Sequence, residues 1–136
     1  MDKNQYLLET ELEQLKTRVD SEPLVILEIT QQCLVRSEQV LFEEGAIQSL
    51  MLMARCCWNL MDYQKGLKYI KEAYKRQSRL DTDLFLPEIL HLHALQFWGQ
   101  AKYYSAQQFW INAVEQSALV DEVEIQIECL IGLGNI

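Results

Sequence analysis

The sequence predicts an all-α chain of stacked antiparallel helix pairs, about six helices with part of a seventh. Its residues repeat every forty positions. Leu50, Met53, Ala54, Cys57, Trp58, Tyr63, Gly66, Ile70 and Ala73 reappear as Leu90, His93, Ala94, Phe97, Trp98, Tyr103, Ala106, Trp110 and Ala113. Leu130, Leu133 and Gly134 open a third copy, which is expected to be cut at Ile136 before its first helix is finished. A fixed period of this size marks units that cannot bury their apolar faces alone and lean on their neighbours. Apolar residues recur at three and four rather than two, the helical period. Only five Gly and two Pro interrupt the chain, so long helices meet few breakers.

Asp2 with Gln5 three residues later resembles a capping box, and Leu7, Leu8, Leu12, Leu15 and Val19 follow at helical spacing. Asp20-Ser21-Glu22-Pro23 ends this helix and starts the next, with Pro early, where its missing N–H costs little. Leu24, Leu27, Cys33 and Leu34 carry the second helix to about Glu38. Gly45 and Ala46 lie near the start of a strongly apolar third helix ending at Leu60. Met61-Asp62-Tyr63 is a short turn, and Lys65 to about Arg79 is the fourth helix. Asp81-Thr82-Asp83 breaks the chain before a fifth helix from about Leu84 to Gln100, with Pro87 in its first turn. Ala101-Lys102-Tyr103 is the matching short turn, and Ser105 to about Leu119 is the sixth helix. Asp121 with Glu124 repeats the capping-box spacing before the seventh. Such short turns force antiparallel neighbours. Small residues stand at the expected close approaches: Ala54 aligns with Ala94 and Gly134, Gly66 with Ala106, and Cys33 with Ala73 and Ala113.

At 136 residues, 49% of them hydrophobic, the chain fits one domain with a real core. No run approaches the ~20 apolar residues of a membrane span. Met1-Asp2-Lys3-Asn4-Gln5 lacks the basic and apolar regions of a signal peptide, so a cytoplasmic protein is expected. The net charge of −8 divides into −6 over residues 1–46, +3 over 47–86 and −5 over 87–136. An acidic surface of this kind repels a phosphate backbone and argues against nucleic acid. The four cysteines show neither a zinc nor a disulfide spacing and read as buried thiols. His91 and His93, at i and i+2 on a helix, face different ways and cannot share a metal. His93 falls in the apolar column of Met53 and Leu133 and reads as a hydrogen-bonded core histidine. With no phosphate loop and no G-x-S-x-G elbow, the chain as it stands is expected to be no enzyme and to need no cofactor or metal.

The columns resemble the tetratricopeptide repeat. Leu90-x2-His93-Ala94-x2-Phe97 with Ala106-x3-Trp110-x2-Ala113 follows its pattern, as does Leu50-x2-Met53-Ala54-x2-Cys57 with Gly66-x3-Ile70-x2-Ala73. The likeness covers roughly residues 45–136. It implies a right-handed superhelix of helix pairs: a degenerate capping pair at 1–44, repeats at 45–80 and 81–120, and the first helix of a further repeat at 121–136. The period of forty exceeds the family's usual thirty-four, as in units that resemble those preceding output domains of bacterial signalling proteins. Thr10, Gln14 and Thr17 occupy the columns of Leu50, Ala54 and Cys57 unless the turn before Pro23 is about two residues shorter.

By resemblance, the first helix of each pair lines a concave groove that takes peptides. The residues directed there are Gln48, Met51, Arg55, Trp58 and Asn59, then Glu88, His91, Leu95 and Trp98, then Glu128, Ile131 and Asn135. Trp58 and Trp98 either form neighbouring aromatic platforms or pack between pairs. The convex stripe Lys65, Lys68, Lys71, Lys75, Arg76 and Arg79 reads as a solvated face or as a dock for an acidic partner, a second copy included. The resemblance thus implies a noncatalytic peptide-binding or sensory module of a larger bacterial signalling protein, its ligand a partner or its own output domain. The alternatives are the regulatory region of an enzyme, first of all a GGDEF diguanylate cyclase, and a stand-alone scaffold.

Overall fold

The computed structural model describes residues 2–136. They form seven α-helices and, among the described residues, no strand: α1 (Lys3–Lys16), α2 (Pro23–Gln39), α3 (Glu43–Asn59), α4 (Tyr63–Gln77), α5 (Leu86–Gly99), α6 (Tyr103–Leu119) and α7 (Val123–Gly134). A chain that leaves one helix and enters the next within three residues needs a residue in the left-handed region. Leu41, Met61, Ala101 and Asp121 supply it, with φ of 56, 61, 60 and 59°. Each turn is closed by the same bond, from the amide after that residue to a carbonyl five residues back: Phe42 to Ser37 (2.8 Å), Asp62 to Cys57 (2.8 Å), Lys102 to Phe97 (2.9 Å) and Glu122 to Ser117 (2.9 Å). None of the four is glycine, although an L-residue pays ~1–2 kcal/mol in this region. Leu41 is 88% exposed and Met61 76%, so neither side chain is used in packing. Leu41→Gly and Met61→Gly should each raise stability by ~0.5–1 kcal/mol, the strain relieved less the added chain entropy. Urea unfolding checks it, and a loss of stability in both would contradict the strain.

The same turn explains a misread cap. Asp121 is the left-handed residue, not the cap, and Glu122 caps α7 without a side-chain bond. Asp2 does cap α1, accepting from Gln5 N at 2.8 Å, and Asp62 accepts from Lys65 N at 3.4 Å. Between α4 and α5 a longer loop replaces the turn. Buried Gln77 closes it, donating to Thr82 O and accepting from Phe85 N. α5 therefore starts at Leu86, two residues later than the apolar pattern suggested, and Pro87 sits in its first turn.

Successive helices pack on one another from α1 to α7. The odd-numbered helices also touch in a row, α1 on α3, α3 on α5 and α5 on α7, whereas the backbones of α2, α4 and α6 stay apart from one another. The result is an inner row of odd helices with even helices set outside it. Small residues permit the approach: Ala54, Ala73, Ala94, Ala106, Ala113 and Cys33 are all fully buried. α1 joins the row through Leu8, Leu12 and Leu15, forty-two residues before Leu50, Ala54 and Cys57. The connection ahead of Pro23 is thus two residues longer than the period, not shorter, which keeps Thr10, Gln14 and Thr17 out of the buried columns.

On the outer side, Arg76 meets Glu38, Glu43 and Glu72 at 2.9, 3.4 and 3.2 Å and ties α2, α3 and α4 together. It is therefore not part of an open basic stripe, whereas Lys65, Lys68, Lys71, Lys75 and Arg79 are exposed. On α7, Ile127, Leu130 and Ile131 are exposed, while Ile125 and Leu133 are partly covered. No helix is long and apolar enough to cross a membrane.

Candidate functional site

The inner row encloses a cavity of about 570 Å³. α3 and α5 contribute Gln48, Met51, Leu52 and Arg55 and then Glu88, His91 and Leu92. α1 and the link after it add Glu13, Lys16, Val19 and Asp20 on one side, and α7 with its cap adds Glu122, Glu124, Ile125 and Glu128 on the other. Leu84 and Phe85 of the long loop complete the lining. Gln48, Glu88 and Glu128 stand forty residues apart, so the repeat itself brings one column of three helices to one space.

A chain of polar contacts fixes this arrangement. Trp110, fully buried on α6, donates its indole N–H to His91 Nδ1 at 3.0 Å. Indole nitrogen can only donate, so Nδ1 accepts and the ring proton sits on Nε2. Nε2 in turn lies 3.1 Å from Glu128 Oε2, to which it donates. That hydrogen bond holds the Glu128 carboxyl below the usual range. Across the cavity, Asn59 donates to Asp20 Oδ1 (2.8 Å) and to Val19 O (3.2 Å), and Arg55 Nε reaches Asp20 at 3.3 Å. The Asn59 bond chiefly, with help from Arg55, lowers the Asp20 carboxyl. Arg55 also lies over the Trp58 ring at 5.4 Å, a cation–π contact. Glu88 has no hydrogen-bond or ion-pair partner among the described residues, and burial pushes its carboxyl up.

Of the residues expected in a groove, Gln48, Met51, Arg55, Glu88, His91 and Glu128 line the cavity together. Asn59 reaches it only through Asp20, and Leu95 is core. Ile131 and Asn135 are exposed beyond its α7 edge. Trp58 and Trp98 are half-buried against the core and do not line the cavity; their indole N–H groups are buried without a partner. Trp58→Ala and Trp98→Ala are expected to cost ~2–3 kcal/mol each, somewhat under the value for a fully buried ring. Thermal melts check this, and unchanged stability in both would make the rings free platforms instead.

His93 is core without being hydrogen-bonded, which corrects the sequence expectation. It stacks on Phe109 at 4.6 Å and on Phe97 at 6.3 Å, meets Tyr74 edge-on, and leaves Nδ1 unpartnered. Burial pushes it down to about 4. The cysteines are free and buried, with Cys56 and Cys129 pushed up to about 12 and Cys57 to about 11, so their thiols are inert near neutrality. Among the described residues no three His, Cys, Asp or Glu side chains converge as metal ligands. The α1 wall and the acids Glu122 and Glu124 escaped the sequence reading, although the position of Glu124, forty after Leu84, was available from the period. No protein-family model, curated protein or solved structure matches the chain.

Proposed function

We propose that the chain is a noncatalytic interaction module, a tetratricopeptide-like right-handed stack that binds a peptide segment in the cavity of its odd-numbered helices. The observation that carries this reading is the cavity's origin: four helices line it, three of them from one repeat column. Its lining sets apolar surface from Met51, Leu52, Phe85, Leu92 and Ile125 among ten polar or charged side chains, which can anchor and orient a bound segment. Placement in a larger signalling protein is the context the repeat resemblance suggests, with the ligand supplied by a partner or by the output region.

The test is a selection of random dodecapeptides displayed on phage against the whole chain, followed by hydrogen exchange with a retained peptide. Protection should rise over residues 48–55 and 88–92 and stay unchanged on the outer faces of α4 and α6. Retention of no peptide, or protection confined to α4 and α6, would defeat the reading.

A further inference from the structure

The charges around the cavity are lopsided. Six carboxylates line it, from Glu13, Asp20, Glu88, Glu122, Glu124 and Glu128, against two cations, Lys16 and Arg55. Both cations are already engaged, Lys16 with Glu13 at 3.0 Å and Arg55 with Asp20 at 3.3 Å. The proton of His91 is committed to Glu128. Glu88 is left over. It is half-buried in the cavity wall, and nothing among the described residues pairs with it. A cation that reached this unpaired, partly buried carboxylate would gain a charge-assisted bond less screened than one on an open surface.

We propose that the peptide bound in this cavity is anchored by a lysine or arginine side chain whose cationic head pairs with Glu88. This rests on the groove reading and adds the chemistry of its ligand. An anionic anchor would face six carboxylates, and a bare divalent ion would want several convergent oxygens, which the lining does not bring together. The apolar stem of a long basic side chain suits Met51, Leu52, Leu92 and Ile125 on the way in, the head alone being polar. That lining also favours a side chain carried on a peptide over a free polyamine, whose charges recur along its length.

The experiment uses the full chain and a synthetic peptide taken from the dodecapeptide selection. Retained peptides should share a basic position. Replacing that residue by citrulline or norleucine should weaken binding at least about tenfold to the unaltered chain but less than about twofold to Glu88→Gln, once its melt shows that it is folded. The citrulline comparison on the unaltered chain stands even if Glu88→Gln does not fold. Peptides that bind in the groove yet tolerate citrulline would overturn the basic anchor while leaving the groove. An equal loss on both proteins would place the cation elsewhere and overturn Glu88. Spermidine that binds as tightly as the peptide would overturn the peptide as the source of the cation. Failure to retain any peptide would remove the groove and this proposal together.

Discussion

Trp110→Ala is expected to cost ~3–5 kcal/mol, the range for emptying a fully buried aromatic site. The ring is 1% exposed and serves three elements at once. It fills the core between α5 and α6, orients His91 through its N–H, and lies against Gly132 of α7 so closely that a Cβ there would come within 2.6 Å of it. Removing it should therefore loosen α7 selectively. Exchange protection over 123–134 should fall further than over α3, and Glu128 should lose its fixed partner. Trp110→Phe keeps most of the ring and loses only the donor, so ~1–2 kcal/mol is expected, the cost of a buried acceptor left unmet. If α7 exchanges in Trp110→Ala as it does in the parent, the ring is not what holds that helix.

The second large effect is acid lability centred on His93. Its folded pKa of about 4 lies below the ordinary 6.5, so the folded chain resists a proton that the unfolded chain accepts. Burial is the chief cause, with Lys71 adding to it. Stability from this group is constant above pH 6.5, falls as pH drops from 6.5 toward 4, and changes no further below that. The total loss is ~3 kcal/mol, from 1.36 kcal/mol per unit. His93→Met installs the residue that the preceding repeat uses at Met53 and should flatten that part of the curve. Glu88 and Glu128 titrate in parent and variant alike, so the difference between their urea-unfolding curves isolates the histidine. Parallel curves from pH 7 to pH 4 would falsify the assignment.

Helices and short turns were legible because their signal is local. Apolar spacing of three and four requires no knowledge of neighbours, and Met61-Asp62-Tyr63 and Ala101-Lys102-Tyr103 fall one residue after the start of the three-residue turns, Tyr63 and Tyr103 opening α4 and α6. The start of α5 was misjudged because Leu84 and Phe85 continue the apolar pattern while serving the loop that Gln77 closes. Asp121 and Glu124 carry the spacing of a cap, but spacing does not reveal that the aspartate adopts a left-handed conformation. At the site, the column of Gln48, Glu88 and Glu128 followed from the period alone. Glu13 and Lys16 did not, since two extra residues in the link shift α1 out of register. Trp58 and Trp98 show the limit of columns: period gives the direction of a side chain, while depth depends on how neighbouring helices tilt and pack. The unpaired state of Glu88 was equally hidden, being a property of every helix around it.

The backbones of the outer helices α2, α4 and α6 stay apart, with the Arg76–Glu38 ion pair bridging the first two, and that has a mechanical consequence. Bending the row α1–α3–α5–α7 flexes its own three joints and the packing of each even helix on the odd helix after it, with no backbone contact between outer helices to oppose it. The outer layer is a set of staves carried on that row, two of them tied by one ion pair. Small rotations at those joints add along the row, moving α1 and α7 toward or away from each other while each helix and its bonded turn stay intact. The width between the two walls can thus change while the packing inside each helix pair is kept.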